Sequence, residues 1–532
     1  MFSAEILFDS ALPSSKTQTR LSRLNDSLRK LTNYRSANPT IRHGAQSIVE
    51  SPETFFADET SKAAFVSRTQ PLSAPPFIVA AALAWLSSHN RYRDLTKTVP
   101  GEADPFLAAA AIRNGGIVLT GDSDLLVFGD DVDGWGVVML QDLVFTEEGV
   151  MARVSRPADV ARALKYPLLH VAYQTALDSS ASLGQILDRL GRIETRRRQG
   201  AAVESIPAAF VREYSLPAEG GAVRMVEEPR IGELLFLAAK GKTDRRMYFP
   251  FLNEDPQRAP AWEIGCSTRA LAYSLLFGGG EVKEVFRRGS RITESPVLCE
   301  NAAKKLEEFA GAVADAPETS WWVVAVLDGI CSTMKGRNQP VLSPDELAAT
   351  AAILLPNPGF TPPKETKHKW NWRLVHIFAM AQAGWYSLLL LREVLRFITI
   401  RDTPVFGDVR SLEALHKSLL QLPDILDLLD GRVFLFSFEN PTEKAKAVAR
   451  YVLELRWRAV KALETEETAI SESPTNENGK QPSDGAEEKR GGVDSWEVVE
   501  YKKAKPEKKR RGTLSNSIAS DFNKFAVLAA DM

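Results

Sequence analysis

Four acidic residues set around one short helix–strand unit constrain this chain more than any other feature. The stretch 101–129 reads GEADPFLAAAAIRNGGIVLTGDSDLLVFG. Its alanine-rich part, opened by Glu102 and Asp104, reads as a short helix that the Gly115-Gly116 pair ends. Ile117-Val118-Leu119 follows as a short apolar strand, and Asp122 and Asp124 come directly after it. In an open parallel sheet both acidic pairs then lie beyond the carboxyl ends of strands, where such sheets bind ligands. Two readings stay open. Clustered carboxylates repel and are costly to desolvate, so a fold that gathers them has cations to hold, and Mg2+ suits oxygen donors best. Asp122-Ser123-Asp124 also has the chemistry of a turn, and Glu102 that of a helix start.

GEAD followed by VLTGDSDLLVFG is similar to the internal acidic motifs of the flap-endonuclease class (XPG-I, PIN-like). It resembles most the Asteroid proteins of that class, their fungal members in particular. The resemblance implies that Glu102, Asp104, Asp122 and Asp124 are metal ligands. Upstream, Glu5 to Phe8 reads as an apolar strand ending at Asp9, followed by a helix with Leu21, Leu24, Leu28 and Leu31 at helical spacing. Flap endonucleases follow a strand-end Asp with a helix whose Lys and Arg grip the scissile phosphate. Lys16 stands seven residues after Asp9, and Arg23 seven after Lys16. The resemblance thus adds Asp9 to the ligands and gives Lys16 and Arg23 the phosphate. The plainer alternative is that both cations solvate an exposed helix face.

The class also begins with an Asp-bearing strand ahead of the one matching Ile6-Leu7-Phe8, and this chain starts almost at that second strand. The nuclease core is therefore expected to be incomplete at its N-terminus, through a truncated gene model or loss of part of the site. A further acidic ligand and a Gly-rich helix-turn-turn-helix are not found after Arg156, where Asp178 is the nearest carboxylate but in another context.

Composition bounds the rest. The chain has 532 residues, 44% of them hydrophobic, and a net charge of −2. That length fits two or more domains or one composite core, and the charge leaves any nucleic-acid surface local. Cys266, Cys299 and Cys331 are too few and scattered for a disulfide framework or a zinc site, which points to a reducing compartment, nucleus or cytoplasm. The opening MFSAEILFDSALP has neither the basic start nor the apolar run of a signal peptide. Residues 374–391 are long and apolar, but His376, Gln382 and Ser387 favour a buried helix over a membrane span.

The expected architecture is an α/β PIN-like parallel-sheet core over residues 1–155. It takes in a buried helix after Pro75-Pro76 and strands at Asp94–Val99 and Trp135–Leu140. Residues 36–73 sit where the class carries an arch or mobile loop, a disordered insertion being the alternative. A large, mainly helical region is expected from Arg156 to Leu463, similar to the helical region of Asteroid-type proteins. There Trp370 and Trp372 read as core or interface anchors rather than base-stacking platforms. Residues 464–511 read as a disordered acidic-then-basic linker. Its KKAKPEKKRR block (502–511) is a nuclear signal, a nucleic-acid tail or a plain solvated run. The tail 512–532 ends in the apolar FNKFAVLAADM, expected to dock.

The resemblance implies a structure-specific nuclease using two Mg2+ or Mn2+ ions on single-stranded or flapped DNA or RNA. The alternative is a non-catalytic nucleic-acid or protein scaffold that keeps the fold. In either case protein partners would meet the helical region, and no membrane is involved.

Overall fold

The short strands form where apolar triplets meet turn chemistry, as the sequence reads. The computed structural model describes residues 4–10, 16–41, 72–147, 149–202, 205–217, 228–313, 320–336, 340–355, 369–400, 409–426, 428 and 431–471. Strand β1 (Ile6–Asp9) leads to helix α1 (Thr17–Ala37), then α2 (Ile78–Ser88), β2 (Thr96–Val99), α3 (Ala103–Asn114), β3 (Ile117–Thr120) and β4 (Gly136–Met139). Helix α3 stops at Gly115, whose φ of 62° is left-handed and whose N–H returns to the Ala111 carbonyl. β1 pairs in parallel with β2, Asp9 opposite Val99, and β3 pairs in parallel with β4. The expected parallel sheet is thus present as two parallel pairs, which among the described residues share no hydrogen bond. Helix α3 packs on β1, β2 and β3 and so spans both pairs.

A hairpin of β5 (Val144–Thr146) and β6 (Gly149–Met151) follows. Helices α4 (Pro157–Leu164), α5 (Leu168–Leu177) and α6 (Leu183–Arg198) then close over β3 and β4. Val118, Leu125, Phe128, Trp135 and Val137 share one core with Val160, Leu168, Val171, Ile186 and Leu190.

The remainder is built around α13 (Trp372–Ile400). The helices and strands leading to it are α7 (Ala208–Glu213), α8 (Pro229–Ala239), β7 (Arg246–Tyr248), α9 (Cys266–Phe277), β8 (Glu281–Arg288), β9 (Arg291–Leu298), α10 (Ala302–Val313), α11 (Trp321–Lys335) and α12 (Pro344–Leu354). After α13 come α14 (Val409–Leu419), α15 (Gly431–Glu439) and α16 (Glu443–Ser471). Helix α13 is long and apolar enough to cross a membrane, but 89% of its most apolar window is buried inside the protein. It is the core helix that the sequence suggested. Gly384 makes its closest approach possible, because a Cβ there would sit 2.6 Å from Val326 of α11. Trp370 stacks on Phe434 and the Trp372 indole donates to the Asn38 carbonyl at 2.8 Å, so both tryptophans are anchors.

Two expectations are corrected here, and one is refined. The region after Arg156 is mainly helical, as expected, but it also holds a three-stranded sheet of β7, β8 and β9, parallel then antiparallel. Its hairpin turns at Gly289-Ser290, with Gly289 at φ 58°. Helix α2 does not bury its face in the strand core; Ala80, Ala81 and Ala84 belong to the large helical core, and Ile78, Val79 and Trp85 are exposed. Helix α16 continues to Ser471, beyond Leu463. The basic block 502–511, the tail 512–532 and most of 36–73 lie outside the described residues.

A candidate metal centre of five carboxylates

Asp9, Glu102, Asp104, Asp122 and Asp124 come from three separate stretches, and the fold brings them together beyond the carboxyl ends of β1 and β3. Asp9 ends β1, and its Oδ1 accepts the Ala103 N–H at 2.6 Å. That bond clips β1 to the start of α3 and sets Asp9 beside Glu102 and Asp104. The Ser10 hydroxyl donates to the Val99 carbonyl at 2.5 Å, tying the ends of β1 and β2. Glu102 occupies the N-cap of α3, but its side chain makes no cap bond. Its carboxylate instead faces the Lys16 Nζ at 3.3 Å. Asp122 accepts the Asp124 N–H at 3.0 Å, while its own N–H donates to the Thr120 hydroxyl at 3.0 Å. The turn chemistry read in this segment is therefore real, and it aims the acids.

The electrostatics record the convergence. Burial, then the charges of Asp122, Glu102, Asp9 and Asp124, push the Asp104 carboxyl up to about 7. Asp124 is raised by burial and by Asp122, against the pull of Lys16; Glu102 raises it further, and a hydrogen bond from Tyr214 opposes. Burial also raises Asp9, against the Ala103 N–H and the charges of Lys16, Arg20 and Arg23. Burial alone would lower the Lys16 ammonium, but Glu102, Glu213 and Asp124 outweigh it and raise it. One half-buried lysine thus stands inside a pocket of five carboxylates.

The two cations proposed for phosphate differ in place. Lys16 lies within the pocket; Arg23 is exposed at its margin and reaches Asp9 through space. Arg20, between them in sequence, turns away. It pairs with both Glu233 oxygens at 2.9 and 3.2 Å and lies 4.3 Å over the Tyr248 ring.

Sequence reasoning missed Glu213 and Tyr214, at the end of α7. Tyr214 packs against Phe128 and Phe210 at 5.5 and 5.2 Å between ring centroids and donates to Asp124. Burial and the neighbouring acids, Asp124 first, raise its phenol. The one available signal was Phe210 and Tyr214 four residues apart, which marks a packed helix face. Asp178 lies apart from the site: it accepts from Ser180 and pairs with Arg189 at 2.6 Å, which holds it down at about 2.

A hard divalent cation suits this donor set, which is all oxygen and carries a surplus of negative charge. Among the described residues, no three His, Cys, Asp or Glu side chains are placed to hold one ion as they stand.

Residues 74–298 match a family model described as XPG domain containing. The match spans α2 to β9 and takes in Glu102, Asp104, Asp122 and Asp124, together with Glu213. It begins after β1 and α1, which carry Asp9, Lys16 and Arg23. The chain therefore carries an XPG-like domain of nuclease fold. No curated protein and no solved structure matches it.

Proposed function

We propose that the chain is a metal-dependent phosphodiesterase acting on nucleic acid, with single-stranded or flapped DNA or RNA as substrate. The observation that carries this reading is the Asp104 carboxyl, raised to about 7 by burial and by four other carboxylates. Like charges are gathered in this way where a cation belongs, and strongly perturbed acids cluster at functional sites. Asp9, Glu102, Asp104, Asp122 and Asp124 would hold Mg2+ or Mn2+, two ions in all. Such ions supply a nucleophilic water near neutral pH and offset charge on the phosphate. Asp104 would have to give up its proton to serve as a ligand. Lys16, paired here with Glu102, would present its ammonium to a non-bridging phosphate oxygen, and Arg23 would extend the positive rim. The Tyr214 hydroxyl fixes the Asp124 carboxylate.

A second reading has its own support. The Lys16–Glu102 ion pair offsets part of the cluster's negative charge, which suits a scaffold that binds nucleic acid or protein without cutting. A flap-cleavage assay separates the two. Mg2+- or Mn2+-dependent cutting that falls at least ~100-fold in Asp104→Asn supports the enzyme. A folded wild-type chain that binds flaps without cutting them supports the scaffold. We further propose that the basic block 502–511 directs the protein to the nucleus; relocation on deleting it is the check.

A further inference from the structure

A cavity of about 440 Å3 opens between α13, α14 and the start of α8, a size that suits a small organic molecule. Trp385, Leu389, Leu422 and Ile425 give it apolar walls. Its polar lining is only half satisfied. Glu228 is 2% exposed. Its Oε2 accepts the Tyr386 hydroxyl at 2.7 Å and the Ile231 N–H at 2.8 Å, while its Oε1 meets the Arg230 guanidinium at 3.8 Å, beyond hydrogen-bond reach. Glu393 is 4% exposed. Its Oε1 takes Nε and Nη2 of Arg392 at 2.9 and 2.8 Å. Its Oε2 has Arg396 at 3.6 Å and no hydrogen bond among the described residues. The buried Nε2 of His416 has no hydrogen bond among them either. Burial lowers the His416 imidazole, against the charge of Glu393 and together with those of Arg392 and Arg396. The ring is therefore neutral near pH 7, and Nε2 can accept a hydrogen bond.

Buried carboxylates with open lone pairs are costly unless a donor reaches them. The open atoms here are acceptors, so an anion is the wrong occupant. The charge balance points the same way. Arg230 and Arg396 are 38% and 59% exposed, where water screens them. Two inner carboxylates thus face one inner guanidinium, that of Arg392, among the described residues. A deficit of one positive charge fits a monovalent head and not a divalent metal. We propose that this cavity binds an organic cation, an alkylguanidinium or a primary alkylammonium. Its head would sit on Glu228, Glu393 and His416 and its stem along Trp385 and Leu389. Both kinds of head carry several N–H donors and no acceptor, and their bonds to ionised carboxylates are of the strong kind. Arg396, which stands over Oε2 of Glu393 without bonding it, is the side chain that swings aside. The head belongs to a free small molecule or to a basic side chain of another protein. Of the residues named for the site, all but Glu228 and Arg230 lie past the family match. The site stands on the helical core alone and asks nothing of the proposed nuclease.

Titration calorimetry of the full chain with agmatine near neutral pH tests the site. Saturable one-to-one binding is expected. Tetramethylammonium, a cation without N–H groups, should bind at least ~30-fold more weakly. Glu393→Gln should weaken agmatine by a similar factor. That variant also strips Arg392 of its partner and puts the fold at risk, so Arg396→Ala, at an exposed position, gives the opposite test. It uncovers Oε2 and removes a like charge, and agmatine should bind at least ~3-fold more tightly. No saturable binding of agmatine overturns the proposal. So does equal binding of tetramethylammonium, or Arg396→Ala leaving the affinity unchanged or lower. An acetyl-Gly-Arg-Gly amide peptide separates the two sources: agmatine binding the more tightly assigns the site to a free small molecule, and the peptide binding the more tightly assigns it to a partner's side chain. Either order supports the cation site.

Discussion

The two cores of this molecule treat buried charge in opposite ways. In the helical region every part of the Arg269 guanidinium is used. Nε and Nη2 reach the Glu284 carboxylate at 2.6 and 3.0 Å, and the remaining donors go to the carbonyls of Ile264 and Trp262 and to the Ser387 hydroxyl. Tyr273 gives Glu284 a third donor, Arg287 pairs with Glu254 at 2.6 Å, and Tyr386 donates to Glu228. Such a satisfied network fixes one arrangement of a core. At the candidate metal centre the acids face one another instead, with Lys16 the only cation inside among the described residues. The contrast separates charge satisfied within the packing from charge that the proposed function assigns to a ligand.

Removing one charge from each place should break the symmetry most visibly. Glu284→Gln leaves the Arg269 charge buried without its counter-ion, and the expected loss is about 3–5 kcal/mol in urea unfolding. Asp104→Asn should do the reverse in EDTA, raising stability by about 1 kcal/mol, because it relieves repulsion at a half-buried site. The comparison fails if both variants move stability in the same direction.

Acid and base should also act oppositely on the two cores. Without metal, Asp104 titrates near 7 in the folded chain against 3.8 ordinarily. Between those values the folded state holds a proton that the unfolded chain has lost, so stability falls as pH rises from about 4 to 7. His376 is displaced the other way, to about 3 from 6.5, by burial and by the charges of Arg258 and Arg287. It stays neutral, so its 3.9 Å approach to Glu254 is no ion pair. The unfolded chain takes up a proton there first, and stability is lost as pH falls from 6.5 toward 3. Urea midpoints against pH should therefore show the high-pH loss disappear in Asp104→Asn or on adding Mg2+. The low-pH loss should diminish in His376→Gln. A profile that neither variant alters would remove the electrostatic basis of the contrast.

The sequence was legible where structure is local. Ile6–Asp9, Ile117–Thr120 and Gly136–Met139 are apolar runs ended by turn residues, and the acids that follow them are adjacent in the chain. Glu213 and Tyr214 were not legible, because the contact of Tyr214 with Phe128 brings them to the site from far along the sequence. The β7–β8–β9 sheet was hidden for a different reason. EVKEVFRR places Glu284 and Arg287 inside, where alternation expects apolar side chains, and only their partners Arg269 and Glu254 make that burial tolerable.

A modest effect is expected at the seam between the two regions. Helix α1 carries Lys16 into the candidate metal centre, yet Arg20 fastens that helix to Glu233 and Tyr248 of the helical region. Arg35 does the same through Asp255 at 3.2 Å and over the Trp372 ring at 4.9 Å. Arg20→Ala should cost only about 1–2 kcal/mol. Burial raises the Glu233 carboxyl, and Arg20 holds it down, so on losing Arg20 it can take a proton rather than remain a bare buried charge. That escape is closed to Arg269 in Glu284→Gln, which is why the same kind of deletion costs less here. If the helical region positions Lys16, flap binding and cutting in Arg20→Ala should weaken more than the small stability loss accounts for, and Arg20→Lys should recover only part, since the ring stacking and the two-oxygen contact need the guanidinium. Cutting that falls only in step with unfolding would make α1 a passive strut and the two cores independent.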